Sequence, residues 1–129
     1  MFAAVFLCAA CGNNNNTTTA PTVATTTDTL TGTVVVGGAD SHNVTVNNEG
    51  EIDVTLTSAG PPEGIIVALA LGIPSSTGCV PISGASKNTA AGYSPQIVGT
   101  VTASVLCVQV ADIGNQTAPI TYSVNVTHP

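Results

Sequence analysis

From about residue 30 onward, apolar and polar side chains alternate with a period of two. Val44 and Val46 alternate with Asn43, Thr45 and Asn47; Ile52, Val54 and Leu56 alternate with Asp53, Thr55 and Thr57. Near the end, Ile120, Tyr122, Val124 and Val126 alternate with Thr121, Ser123, Asn125 and Thr127. Side chains two apart share one face of an extended chain, so each stretch predicts a half-buried β-strand. Residues 33–36 are β-branched and close on Gly37-Gly38, which predicts another. Residues 65–71 (IIVALAL) are apolar throughout, and flanking Gly64, Gly72 and Pro74 favour a strand buried on both faces over a helical turn. Residues 96–101 and 105–111 (VLCVQVA) complete the set. Turns are expected at Asn48-Glu49-Gly50, at Gly60-Pro61-Pro62-Glu63-Gly64 and over 112–119 (DIGNQTAP). The stretch 74–95 reads as loop-rich, with at most a short strand at 79–82. About eight strands at roughly twelve-residue spacing, with no amphipathic helix, predict an all-β domain: a single β-sandwich of antiparallel strands.

Upstream of these strands the texture changes. Residues 13–29 (NNNNTTTAPTVATTTDT) offer almost nothing apolar to bury, too little to offset the entropy of ordering them. They read as a linker with roughly 20 Å of root-mean-square reach. The expected organisation is therefore a leader over 1–10, an Asn/Thr-rich linker over 11–29 and a sandwich domain over 30–129. Apolar residues make up 43% of the chain, enough for a core, but only 6% is charged. Lys87 is the sole Lys or Arg and the net charge is -6, so no phosphate backbone can be neutralised and nucleic acid is excluded as a partner. Trp is absent, and outside the leader only Tyr93 and Tyr122 are aromatic, a poor platform for stacking sugars or bases.

The leader carries an address. Residues 2–10 (FAAVFLCAA) form an apolar run too short to span a bilayer as a helix, but of the length of a signal-peptide hydrophobic region. The run Leu7-Cys8-Ala9-Ala10-Cys11-Gly12 resembles a bacterial lipobox, in which small residues precede a cysteine that becomes the lipid-bearing first residue of the mature protein. The resemblance implies acylation at Cys11 and a lipid bilayer as partner. Position minus three is Cys8 where Leu is usual, and no basic residue precedes the apolar run, as a start assigned downstream of the true one would leave it. The alternatives are a plain secretory signal and a buried amino-terminal strand.

With Cys8 removed and Cys11 acylated, Cys79 and Cys107 remain. A pair in an exported protein reads as a disulfide, the alternative being two buried thiols. Closing the intervening loop stabilises a fold by about 3.5 kcal/mol on the chain-entropy model. Asp40, Ser41 and His42 hold the letters of a hydrolase triad, but neighbours in a strand face opposite ways, so Ser41 is expected to point away from His42. His128, next to last, is expected to fray. Glu49, Glu51 and Asp53 stand as weak candidates for a calcium site, the plainer reading being a solvated, charged sheet face. Asp112 ahead of Gly114 is expected to shape a turn.

Residues 40–126 resemble the bacterial pre-peptidase carboxy-terminal domain. The resemblance rests on Asp40-x-x-x-Val44-x-Val46, on Ile52-x-Val54-x-Leu56 after a Gly turn, on Leu106-Cys107-Val108-Gln109-Val110, on Gly114, and on Tyr122-Ser123-Val124-Asn125-Val126. It implies a jelly-roll-like sandwich of the kind appended to secreted enzymes, assisting secretion, localisation or attachment without being catalytic. The combined expectation is a lipid-anchored, non-catalytic structural or interaction module of the bacterial envelope or surface. It would meet an envelope protein or polysaccharide, or its own copies through edge strands, and no cofactor is expected. The alternative is a secreted accessory domain binding carbohydrate or peptide, with Tyr93 in its groove, whether or not calcium takes part.

Overall fold

The computed structural model describes residues 24–129. Their elements are β1 (Thr26–Val34), β2 (Ala39–Val46), β3 (Gly50–Gly60), β4 (Val67–Ser75), β5 (Gly78–Thr89), β6 (Ile97–Val101), β7 (Ser104–Ala111) and β8 (Ile120–His128). One four-stranded sheet runs β1-β8-β3-β6 and the other β2-β7-β4-β5. All neighbours are antiparallel. The predicted sandwich of eight antiparallel strands is thus the fold. Consecutive strands alternate between the two sheets except at the β4–β5 hairpin, the arrangement of a jelly roll.

The alternating strands put their apolar side chains where the pattern requires. Ile52, Val54 and Leu56 of β3 and Val124 and Val126 of β8 meet Val67 and Leu69 of β4 and Val108 and Val110 of β7 between the sheets, all fully buried. Each such side chain contributes about 1.5–3 kcal/mol of burial free energy.

Antiparallel pairing sorts the connections to two ends. At one end lie the start of β1, the turns 47–49, 76–77 and 102–103, and the finish of β8. At the other lie 35–38, 61–66, 90–96 and 112–119, each crossing from one sheet to the other. Following the sheet order, these four sit side by side in the sequence 35–38, 112–119, 61–66, 90–96. The first end is called proximal below, because the amino-terminal stretch enters there, and the second distal.

Three expectations are corrected. The linker does not run to residue 29: β1 begins at Thr26 and pairs with β8 from Thr26↔His128 to Val34↔Ile120. Its inward positions include Asp28 and the side-chain-free Gly32, so no apolar alternation announces it, and its hydrogen bonds come from β8. The stretch 74–95 is not mainly loop, for β5 occupies Gly78–Thr89 and pairs along β4. Its pattern is hidden by a wide bulge, in which residues 82–85 stand opposite Leu71 alone and turn Ile82 and Ala85 toward the core. Nor does His128 fray. It is 3% exposed, and its Nε2 lies 2.8 Å from Asp28 Oδ2.

Candidate functional site

The cysteine pair is bonded, Cys79 to Cys107, with Cα atoms 5.8 Å apart. The two residues belong to β5 and β7, and β4 lies between those strands in the sheet. The disulfide therefore crosses over β4, and it does so at Gly72, which pairs with both Cys107 and Pro81. A methyl group on Gly72 would fall 2.9 Å from Cys79 Sγ and closer still to the Val80 carbonyl oxygen. Only glycine admits the crossing. Cys8 and Cys11 lie outside the described residues.

The candidate triad comes apart in three dimensions. Asp40 and His42 face inward with Val44 and Val46, while Ser41 is exposed on the opposite face, as alternation predicted. What the sequence did not reveal is the partner of Asp40. The hydroxyl of Tyr122, which belongs to the other sheet, donates to Asp40 Oδ2 at 2.7 Å. Gly32 pairs with Tyr122, and a Cβ there would collide with Asp40 Oδ2, so Gly32 opens the space that the carboxylate occupies. His42 sits beside both, its ring centroid 6.4 Å from that of Tyr122 and its Nε2 3.4 Å from Asp40 Oδ2. That contact is too poorly aligned for a hydrogen bond and leaves Nε2 without one. Burial, then the hydrogen bond and negative charge of Asp40, push the Tyr122 hydroxyl above its ordinary titration range. The cluster is a latch between sheets, and its carboxylate is already engaged.

Glu51 and Asp53 share the outward face of β3, with Glu49 in the preceding turn. Among the described residues no group of three or more His, Cys, Asp or Glu is placed to hold a metal ion. Asp112 has a different task. Its Oδ2 accepts the Gly37 N–H at 2.7 Å, and its Oδ1 accepts those of Gly114, Asn115 and Gln116 at 2.8, 3.2 and 3.3 Å. These donors, led by Gly37, hold its carboxyl below the usual carboxylate range. It caps its own turn, as expected, and also ties that turn to the neighbouring one.

A groove lies at the distal end. Its volume is about 590 Å³, and it is bounded by Ser58, Gly60 and Thr121 on the sheet, by Glu63 in the turn after β3, and by Gly92 and Tyr93 in the β5–β6 connection. Tyr93 is 99% exposed at its rim. The loop beneath that ring is firmly held. Pairing of β6 with β3 stops at Val54↔Ile97. Beyond it the Gln96 side chain acts as a substitute strand, accepting from the Leu56 N–H at 2.7 Å and donating to the Leu56 carbonyl at 3.2 Å. The N–H groups of Gly92 and Gln96 add bonds to the carbonyls of Leu56 and Val54, at 2.9 and 3.0 Å. Sequence reasoning singled out Tyr93 but missed Gln96, since a lone Gln beside a Pro carries no local signal. A second cleft, of about 490 Å³, lies between β1 and β2 and includes Asp28, Leu30, Val44 and His128 in its lining.

No model of a known protein family matches the chain, and no curated protein matches it.

Proposed function

We propose that this chain is an exported, lipid-anchored and non-catalytic jelly-roll module that acts by interaction at the bacterial envelope or surface. The observation that carries the reading is the Cys79–Cys107 disulfide, crossing β4 at a glycine where a side chain would meet both the Cys79 sulfur and the β5 backbone. A bond fitted over a strand in this way belongs to a protein that matures in an oxidising compartment. The lipobox-like Leu7-Cys8-Ala9-Ala10-Cys11 and the Asn/Thr-rich stretch after it supply an anchor and a tether that reach the domain at Thr26. The likeness of residues 40–126 to the pre-peptidase carboxy-terminal domain agrees with a module that localises or attaches. The non-catalytic part rests on the candidate triad, whose Ser41 faces away while Tyr122 engages Asp40.

The test is the intact mass of the unreduced protein taken from the membranes of its source cell, before and after reduction. The expected mass begins at Cys11, includes acyl chains, and rises by about two protons on reduction. A soluble, unacylated chain would remove the anchor from this reading and leave a freely secreted module.

A further inference from the structure

The distal end differs from the rest of the surface in what its loops expose. Each of the four adjacent connections carries a large apolar side chain in solvent: Val35 and Val36 in 35–38, Ile113 in 112–119, Ile66 in 61–66 and Tyr93 in 90–96. Isolated exposed aliphatics are ordinary; one on every loop of a single row is a surface.

The row is also held as a unit. Asp112 binds Gly37 through its carboxylate, and its N–H donates to the Gly38 carbonyl at 2.9 Å, joining the first loop to the second. Asn115 Nδ2 donates to the Ile66 carbonyl at 3.0 Å, joining the second to the third. The third and fourth together wall the groove, and Gln96 clamps the fourth. An ordering cost that a partner would otherwise meet on binding is thus already covered by the fold.

We infer that this apex is a docking surface for another protein, seated by an extended segment that places an apolar side chain in the groove against Tyr93 and a Lys or Arg beside Glu63. Chemistry selects that occupant. Val35, Val36, Ile66 and Ile113 have no ring face or polar group for a sugar, whereas aliphatic side chains around an aromatic anchor suit an apolar protein surface. An anionic bilayer would meet Glu63 and Asp112, in a chain whose only Lys or Arg is Lys87 within β5. The apex of a second copy would bring further carboxylates and no Lys or Arg. Among the described residues Glu63 has no ion-pair partner, so a cation is the complement the apex lacks. The inference rests on the proposed tether only for the direction the apex faces: the tether enters at the proximal end, about 30 Å away along strands of this length.

The experiment pans a random peptide library displayed on phage against the full chain, immobilised through a carboxy-terminal tag at the proximal end. Selected peptides are expected to combine apolar residues with Lys or Arg. They should lose about thirtyfold or more in affinity on Tyr93→Ala and on Glu63→Lys, the loss a central aromatic or paired charge produces. Val105→Ala, which trims an exposed aliphatic near the proximal end, should leave affinity unchanged. Unaltered thermal unfolding of Tyr93→Ala keeps the comparison valid, since that ring has almost no contacts to lose. No enrichment, peptides indifferent to Tyr93→Ala or Glu63→Lys, or chitohexaose binding abolished by Tyr93→Ala would each overturn the inference. Acylation plays no part in this assay, so it can fail while the anchor stands, and the reverse.

Discussion

Gly72 lies beneath the sulfur of Cys79, and its missing side chain is what allows a disulfide to join β5 to β7 across the strand between them. Gly72→Ala places a methyl group against the Val80 carbonyl, which is backbone and cannot swing aside. The expected cost is about 1–3 kcal/mol, as for overpacking elsewhere. Urea unfolding measures it, and a thiol titration of the refolded variant should find Cys79 and Cys107 partly reduced. Full oxidation with unchanged stability would show that β5 can lift away without penalty.

Removing the bond itself gives a separate number. The 28-position separation of Cys79 and Cys107 predicts that the Cys79→Ala, Cys107→Ala pair loses about 3.5 kcal/mol, relative to the oxidised chain, from the unfolded-state entropy alone. Denaturant unfolding of the two chains, each extrapolated to water with its own slope, checks it, the slope being expected to rise when the cross-link is lost. A loss well beyond this figure would mean that packing of the buried Cys107 sulfur matters as much as the closed loop.

The latch between the sheets predicts an alkaline sensitivity. The folded Tyr122 hydroxyl titrates above its ordinary value, so deprotonation favours the unfolded chain. The stability it contributes is complete below the unfolded value of about 10 and is lost as pH rises through the folded one. Melting temperatures of the native chain should fall above that pH more steeply than those of Tyr122→Phe. At neutral pH the variant should be less stable by about 1–3 kcal/mol, because Asp40 loses its partner.

Asp112 predicts the acid counterpart. Its folded carboxyl lies below the ordinary 3.8, so its stabilising effect is present above that value and is lost as pH falls through the folded one. Asp112→Asn keeps the shape but not the charge. The melting-temperature gap between it and the native chain should be widest near neutrality and close in acid. A constant gap across pH would assign the effect to the loss of one acceptor oxygen and not to the charge.

Gly32→Ala tests whether the latch was built around a missing side chain. The added methyl would occupy the space of Asp40 Oδ2. The Tyr122–Asp40 hydrogen bond should break, and the alkaline fall of Gly32→Ala should be shallower than that of the native chain but still present, because burial, the larger cause of the Tyr122 shift, remains. Retention of the native profile would mean that β1 moves to accommodate it.

What the sequence determined by itself is local. Alternation at 52–56 and 120–126 specifies extended chain and which side chains face inward, because a strand repeats every two residues whatever it pairs with. The Cys79–Cys107 bond was legible on another ground, the expectation that a leader and its anchor take up Cys8 and Cys11. Tyr93 was legible only as a residue; its complete exposure was not. Tertiary structure alone decided the rest, because it depends on pairing between distant residues. Thr27 meets Thr127 across 100 positions, and β1 is a strand because β8 supplies its hydrogen bonds, not because its own residues alternate. β5 is drawn along β4 despite its broken pattern and is fastened there by a bond over Gly72. The same pairing brings 35–38, 112–119, 61–66 and 90–96 into one row, makes Asp40 the partner of Tyr122, and buries His128 one residue from the end. None of these follows from neighbours in the chain, since each is fixed by which strands share a sheet.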